Sequence, residues 1–286
     1  MEKNQDKLSA RIFMKHHVPF NDFLGLTLND MHGLIMIPLG EHSPIQLRED
    51  LSDEKLDQIP LFRIVEAYLY IIQRDKHIKL TPLGALPKKI MVELYEKKFL
   101  LDEFIEKGIT KLWREQDCIA IMSARYAAEY AGLVRKANNK IALSKAGEKL
   151  LKSNNRTQIF KLFLQAYTGK FSWHNNDAYP YEIIGQFAWA FSVFMLDKFG
   201  DRPHKTVFYA EKYFKAFPLL VENYPVFGSS NFNFMHACYG IRTFERFFLW
   251  FGFVSVETQG EFFSIEDDTF KRTDLVKQVF NLDGLA

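Results

Sequence analysis

Cysteine is scarce in this chain of 286 residues, which contains only Cys118 and Cys238. The two residues lie far apart, and each is flanked by apolar, helix-forming residues. So small a set cannot supply the disulfide framework of a small secreted domain. A reducing compartment is therefore the simpler expectation.

The chain also lacks a long uninterrupted apolar run. Residues 1–7 are charged and polar, and no apolar segment of the kind found in secretory signals follows them. The longest apolar stretch, 183–196, is interrupted by small and polar residues and is too short to span a bilayer, so it predicts a buried helix. We therefore expect a cytoplasmic protein without a membrane partner.

Recognisable motifs for catalysis or metal binding are missing as well. We find no glycine-rich phosphate loop, no nucleophile elbow and no paired carboxylates with a convincing partner. His236 and Cys238 are two residues apart, so a helix would point them in different directions, and no second ligand pair stands at metal spacing. We predict no catalytic residue, no metal and no cofactor. The alternative is an enzyme whose site is assembled from distant residues.

Two polar clusters have structural interpretations. Residues 173–177 (WHNND) combine aromatic and polar side chains, which would line a pocket or simply connect two helices. The acids at 266–268 precede a predicted helix start near Thr269, where negative charge favours the helix dipole.

The composition indicates a globular protein, because 48% of the residues are hydrophobic and 25% are charged. Aromatic residues are numerous, with 28 Phe, 12 Tyr and 4 Trp, which indicates large cores or buried interfaces. A polar break at 153–155 separates two predicted domains, 1–152 and 153–286.

A short phrase occurs twice in the middle of the chain, as IKLTPLG at 78–84 and IALSKAG at 141–147. Each copy alternates apolar and polar residues up to a Thr or Ser, and a helix-forming run follows it. The pattern predicts a strand whose last residue caps the next helix.

A helix over 118–131, a hairpin over 133–143 with an Asn-Asn turn, and a capped helix over 144–152 indicate a winged-helix-like unit. The sequence FGFV at 251–254 echoes AGLV at 131–134. We therefore predict a mainly α fold with short hairpins at 73–80, 133–143 and 253–265. It comprises tandem winged-helix-like units and an aromatic-rich helical C-terminal half.

The remaining helices follow from capping and periodicity. A helix is predicted from Leu8 to His17, and Thr27 with Asp30 predicts a capping box. Pro60 suits the first turn of a helix with an apolar stripe, and further helices are expected at 157–168, 182–199, 205–217, 232–251 and 271–280. Most aromatics of the C-terminal half should be buried together: Phe187, Trp189, Phe191, Phe194, Phe244, Phe247, Phe248 and Trp250.

Charge is unevenly distributed along the chain. Residues 76–161 contain 18 Lys and Arg against 9 Asp and Glu, a balance of +9. The segments on either side are acidic, with −4 over 1–75 and −3 over 162–286. Because the positive excess coincides with the repeated phrase, we expect this region to contact polyanions.

The helix over 118–131 is a poor candidate for reading bases. Periodicity predicts an inward face of Ile119, Met122, Tyr126 and Tyr130, and an outward face on which only Arg125 would reach a base edge. The other basic residues suit phosphate contact. We therefore predict a non-enzymatic protein that binds double-stranded nucleic acid with weak sequence preference, through Lys88, Lys89, Arg125, Arg135, Lys136, Lys140, Lys145 and Lys149.

Two alternatives stay open. The lysines would form only a solvated face, as surface lysines usually do. The chain would then be a protein–protein interaction module or a homodimeric scaffold, with the aromatic C-terminal half as its interface.

Several short matches also carry a resemblance to a known family. DFLGLT at 22–27, MH at 31–32, PL at 38–39, LT at 80–81 and LP at 86–87 resemble a region of bacterial proteins related to plasmid-encoded ORF-three-type proteins. The resemblance covers roughly residues 20–150. It implies a helical and winged-helix-like fold in a bacterial, often mobile-element-linked protein of unassigned activity, and it brings no catalytic residues.

Overall fold

A computed structural model describes residues 18–222, 230–260 and 263–282 of the chain. This part of the chain is mainly helical and carries small antiparallel sheets, as predicted. The helix predicted from Leu8 to His17 lies outside the described residues. Within the three described ranges, no helix is both long and apolar enough to cross a membrane.

Helix α1 (Leu28–Met36) begins with the predicted capping box. The Thr27 hydroxyl accepts a hydrogen bond from the Asp30 amide at 3.2 Å, and the Asp30 carboxylate accepts one from the Thr27 amide at 2.9 Å. Strand β1 (Gln46–Leu47) and the short acidic helix α2 (Asp53–Asp57) follow.

Helix α3 (Pro60–Asp75) packs its apolar stripe into the core. Pro60 occupies the first turn, where its missing N–H costs no hydrogen bond. The helix ends at Lys76, whose φ of 67° is left-handed, and strand β2 (Ile78–Lys79) follows. The predicted apolar stripe is confirmed, because its six residues are buried: Leu61, Ile64, Val65, Tyr68, Leu69 and Ile72.

A three-stranded antiparallel sheet of order β2–β4–β3 lies in the middle of the chain. Strands β3 (Val134–Ala137) and β4 (Lys140–Leu143) form the hairpin predicted at 133–143, and β2 pairs with β4. The hairpin predicted at 73–80 is wrong. Because α3 continues to Asp75, β2 has no neighbouring strand in the sequence and pairs with a distant one.

The helices between β2 and β3 are α4 (Lys88–Tyr95), α5 (Glu103–Glu106) and α6 (Ile119–Tyr130). Helix α7 (Lys145–Lys152) follows β4. Its predicted cap is confirmed, since the Ser144 hydroxyl accepts a hydrogen bond from the Gly147 amide at 2.9 Å. A Cβ at Gly147 would lie 2.1 Å from the Leu133 carbonyl oxygen, so only glycine allows α7 to approach the hairpin this closely.

The predicted orientation of α6 is wrong. Tyr126 and Tyr130 are exposed, and Ile119 and Met122 are only half-buried. The helix packs against α3 and against helix α8 (Arg156–Gly169), and small side chains allow such close approach. The helix therefore buries residues that were not predicted to face inward: Ala120, Ile121, Ser123, Ala124, Arg125, Ala127 and Ala128.

The C-terminal half contains helices α9 (Trp189–Phe199), α10 (Thr206–Ala216), α11 (Leu219–Glu222) and α12 (Ser230–Tyr239). Helix α12 continues into a π-helical stretch from Gly240 to Leu249. Helix α9 begins later than the predicted residue 182, because Gly185 and Ala188 both have positive φ and interrupt regular helix.

The last hairpin differs from the prediction in its return strand. Strand β5 (Val254–Glu257) pairs with β6 (Thr269–Arg272), so the return strand expected at 262–265 is wrong for the described residues from 263. Buried Asp268 explains the shift, because its carboxylate accepts hydrogen bonds from the amides of Gln259 and Ser264 at 2.9 and 2.8 Å and thereby closes the connecting turn. The helix start expected near Thr269 is also wrong.

The chain closes with helix α13 (Leu275–Val279) and strand β7 (Phe280–Asn281). Helix α13 is shorter than the predicted helix 271–280, whose first residues are in β6. Strand β7 pairs with β1, and the Arg48 Nε donates to the Lys277 carbonyl at 2.8 Å. The two halves of the chain are thus joined by backbone pairing.

The core is a continuous cluster of buried side chains drawn from both halves. The aromatic prediction is confirmed: Phe187 is partly buried, and the other seven predicted aromatics, in α9, in the π-helical stretch and at Trp250 directly after it, are buried. The division into domains 1–152 and 153–286 stays a prediction.

Candidate nucleic-acid interface

The three-stranded sheet has a cationic outer face. Lys79 on β2 lies directly opposite Lys140 on β4, and Lys140 lies opposite Ala137 on β3. Side chains directly opposite each other point to the same face of a sheet, and so do residues two apart in one strand. Arg135 therefore shares this face with Lys79 and Lys140. The other face carries Ile78 and Ile141, which are buried.

A groove of about 350 Å³ runs over this outer face. Ala137 and Ala142 leave room between the longer cationic side chains because their own side chains are small. Among the described residues, no acid lines the groove. The lining residues are Lys76, His77, Arg135, Ala137, Asn138, Lys140 and Ala142. We refer to the lining cations Lys76, Arg135 and Lys140, together with Lys79 opposite Lys140 on the same face, as the cationic groove.

The turn of the β3–β4 hairpin fixes the position of the cationic groove. Asn138 and Asn139 both have positive φ, 48° and 57°, which suits the tight two-residue turn predicted from the Asn-Asn pair. The Asn139 side-chain amide donates hydrogen bonds to the carbonyls of Leu80 and Thr81, both at 3.1 Å. The tip of the hairpin is thereby fastened to the segment that follows β2.

A second basic groove, of about 470 Å³, lies along α7. Lys145, Lys149 and Lys152 line it together with Glu148 and Ser153. Hydrogen bonding and charge from Lys152 hold the pKa of Glu148 below its usual value, and the charge of Lys76 contributes. Since Lys76 also lines the first groove, the two grooves are neighbours.

The structure separates the remaining predicted residues from the cationic groove. Lys136 shares the opposite face with Ile141, and its Nζ lies 3.3 Å from the position of a Cβ on Gly84. The Lys88 Nζ lies 3.7 Å from the centroid of the Trp113 ring. The pKa values of Asp75 and Glu93 are lowered mainly by hydrogen bonds from Arg74, and the nearby positive charge of Lys89 contributes to both shifts.

Arg125 is 1% exposed, so the expectation that it lies on an outward face is wrong. Its Nε lies 2.5 Å from Glu115 Oε1, and its guanidinium lies 4.1 Å from the centroid of the Tyr126 ring. Glu115 Oε2 accepts a hydrogen bond from the Leu86 amide at 3.0 Å. Burial raises the pKa of Glu115, and the nearby positive charge of Arg125 opposes that shift. This pair is part of the core and is not available to a ligand.

Sequence reasoning brought together Arg135, Lys140, Lys145 and Lys149 but missed Lys76, His77 and Lys79. The missing signal was the pairing of β2 with β4. The two copies of the repeated phrase are the strands that pair, with Ile78 opposite Ile141. That pairing places Lys79 directly opposite Lys140.

The exposed stripe of α6 carries no Lys or Arg. It consists of Tyr126 and Tyr130, with Ile119, Met122 and Glu129 half-buried beside them. A helix that reads base edges in a major groove uses cationic or amide side chains for the commonest contacts. The surface of α6 offers none.

Two clusters considered in the sequence are structural. Asp177, in the loop after α8, accepts hydrogen bonds at 2.8 Å from Nε and Nη2 of Arg242, a fully buried residue of the π-helical stretch. This loop therefore connects and fastens helices. His236 and Cys238 are buried, and burial raises the pKa of the Cys238 thiol to about 12. No cluster of three potential metal ligands occurs among the described residues.

A third and larger groove, of about 740 Å³, has mixed charge. Its arginines are engaged with acids: Arg156 pairs with Glu66 and Asp57 at 2.6 and 2.8 Å, and Arg74 pairs with Glu93 at 2.5 Å. Paired guanidinium groups are poor receptors for phosphate because their charge is already neutralised. This groove is a weaker candidate than the cationic one.

Comparison of the chain with protein-family models, with curated proteins and with solved structures finds no match. The resemblance over residues 20–150 therefore stays a prediction.

Proposed function

We propose that this chain binds nucleic acid through the phosphate backbone, with the cationic groove as the contact surface and weak preference for sequence. Lys145 and Lys149 on α7 extend the surface. Arg125 takes no part because it is buried, and Lys88 and Lys89 lie apart from the groove.

The observation that carries this proposal is the direct opposition of Lys79 and Lys140, with Arg135 on the same face. Like charges opposite each other in a sheet are destabilising, so the fold bears a cost that an anionic ligand would remove. In the described ranges, none of the four groove cations forms an ion pair with an acid. A polyanion is the ligand that such a set recognises.

Weak sequence preference follows from the kinds of side chain available. Lysine and arginine contacts to phosphate position a protein on nucleic acid but do not distinguish bases. The exposed stripe of α6 lacks the side chains that make the common major-groove contacts.

We also propose that α6, the β3–β4 hairpin and α7 form a winged-helix-like unit. The order of a helix, a hairpin and a capped helix supports this interpretation. The hairpin would then act as the wing and would contact the backbone rather than base edges.

The test compares the affinities of variants for a labelled duplex at low salt. In the groove variant, Lys79→Gln/Arg135→Gln/Lys140→Gln, we expect strongly weakened binding, because three phosphate contacts are removed. The control variant is Lys111→Gln/Lys161→Gln/Lys271→Gln, which removes the same charge from exposed residues elsewhere. We expect the control to bind nearly as tightly as the wild type.

Equal losses in both variants would mean that net charge, and not the groove, attracts the duplex. Absence of binding by the wild type at low salt would favour the protein–protein interaction module instead.

A further inference from the structure

One tryptophan, in the segment between α5 and α6, is exposed. Of the four tryptophans in the chain, Trp173, Trp189 and Trp250 are buried, whereas Trp113 is 59% exposed. A single exposed apolar side chain is common on protein surfaces, but an exposed indole ring also offers a flat surface on which a base can stack.

Hydrogen bonds fix the backbone at Trp113, and a cation lies over its ring. The backbone amides of Trp113 and Arg114 donate to the Asp117 carboxylate at 3.0 and 2.7 Å. The Lys88 Nζ lies over the ring, 3.7 Å from its centroid. The residue is nevertheless 59% exposed. The site thus pairs an exposed aromatic side chain with a cation.

Residues close to Trp113 in the sequence contact the loop that precedes α4, and this loop approaches strand β3. Glu115, two residues after Trp113, accepts a hydrogen bond from the amide of Leu86, which lies two residues before Lys88. In the same loop as Leu86, a Cβ built at Gly84 would lie 3.3 Å from Nζ of Lys136 on β3. Lys136 follows Arg135 of the cationic groove in the same strand. Lys136, whose positive charge acts on the Glu115 carboxylate, and Lys88 therefore place positive charge near Trp113, whereas the cationic groove lies on the other face of the sheet.

We infer that Trp113 stacks on an unpaired base and that the chain binds single-stranded polynucleotide through Trp113, Lys88 and Lys136. This inference rests on the proposed function and extends it to a class of ligand. Bases stack on exposed aromatic rings irrespective of sequence, while cations beside the ring hold the backbone. In a duplex the base faces are covered by their neighbours, so a duplex cannot use the ring. Both DNA and RNA carry the base and phosphate that the site recognises.

The experiment uses the full chain at low salt with short strands of oligothymidylate and oligouridylate and, in parallel, a duplex. We expect either strand to quench tryptophan emission, because the exposed Trp113 is the ring that a base can reach. Trp113→Ala should bind the single strand about tenfold more weakly and the duplex as well as the wild type does. Trp113→Phe should keep most of the single-strand affinity but lose the quenching. Comparing the two strands distinguishes DNA from RNA as the source of the ligand.

The variants separate failure of this inference from failure of the proposed function. If Trp113→Ala binds the single strand as tightly as the wild type while the groove variant binds neither ligand, the tryptophan site is wrong and the proposed function stands. An equal loss for duplex and single strand in Trp113→Ala would also overturn the single-strand inference. If the wild type binds no polynucleotide, both are wrong. Melting temperatures of all variants show whether each remains folded.

Discussion

At the scale of single residues, two arginines from the same basic part of the chain lie in opposite environments. Arg125 and Arg135 both belong to the basic middle of the chain, yet Arg125 is in the core and Arg135 lines the groove. Charge along the sequence could not separate them. The difference arises because the small residues around Arg125 let two helices approach, and Glu115 compensates the charge that becomes buried.

Because Arg125 and Glu115 are buried together, replacing one of them should destabilise the protein more than replacing both. Arg125→Met leaves the Glu115 carboxylate buried without its partner, which should lower the free energy of unfolding by about 3–5 kcal/mol. Adding Glu115→Gln should recover much of the loss, because no charge stays buried and the amide oxygen can still accept from the Leu86 amide. Denaturant titration measures both. A double variant as unstable as the single one would contradict this explanation.

The loss of stability in Arg125→Met should depend on pH. Burial raises the pKa of Glu115 in the folded protein, and removing Arg125 should raise it further. A carboxyl group whose pKa is higher in the folded than in the unfolded state adds stability at low pH, which is lost as pH rises through the folded-state pKa. The deficit of Arg125→Met relative to the wild type should therefore be smaller at about pH 5 than at about pH 8. A deficit that is the same at both values would rule out Glu115 as its source.

At the scale of elements, the sequence predicted what is local and failed where distant segments meet. The capping box of α1, the stripe of α3 and the β3–β4 hairpin follow from neighbouring residues, and all are confirmed. The partner of β2 and the return strand of the last hairpin do not follow from local signals. Lys79 joined the candidate site only through β2–β4 pairing. The inverted face of α6 has a related cause, because its neighbours needed small side chains and not the largest apolar ones.

The hairpin turn predicts a graded series of stabilities. Asn139→Ala should lower the free energy of unfolding by about 2 kcal/mol, since alanine is strained at the positive φ of 57° and cannot donate to Leu80 and Thr81. Asn139→Gly removes the same hydrogen bonds without the strain and should cost less. Thermal and denaturant unfolding give the order. If the glycine variant is the less stable of the two, left-handed backbone strain does not explain the loss of stability in the alanine variant.

At the scale of the whole molecule, the two halves of the chain share a continuous core, and β1 of the first half pairs with β7 of the second. The composition predicted the large aromatic core, whereas nothing local in the sequence indicated that Leu47 and Phe280 would be partners. We therefore expect the described parts of the chain to unfold together.

Phe280 tests this coupling. It is fully buried, pairs with Leu47 in the backbone register, and its ring centroid lies 5.4 Å from that of Phe253. Phe280→Ala should cost about 3–5 kcal/mol and leave a single unfolding transition. The matched control is Phe234→Ala at an exposed position, with a change within about 0.5 kcal/mol. Two separate transitions in the Phe280 variant, with the N-terminal half unaffected, would instead support independent domains.

The salt dependence of duplex binding tests the central claim most directly. Each neutralised phosphate contributes about 0.9 to the slope of log affinity against log salt concentration. We expect the wild type to show a steep negative slope and the groove variant Lys79→Gln/Arg135→Gln/Lys140→Gln a slope smaller by about 3, while the control Lys111→Gln/Lys161→Gln/Lys271→Gln keeps the wild-type slope. A wild-type slope near zero, or an unchanged slope in the groove variant, would contradict phosphate binding by the cationic groove.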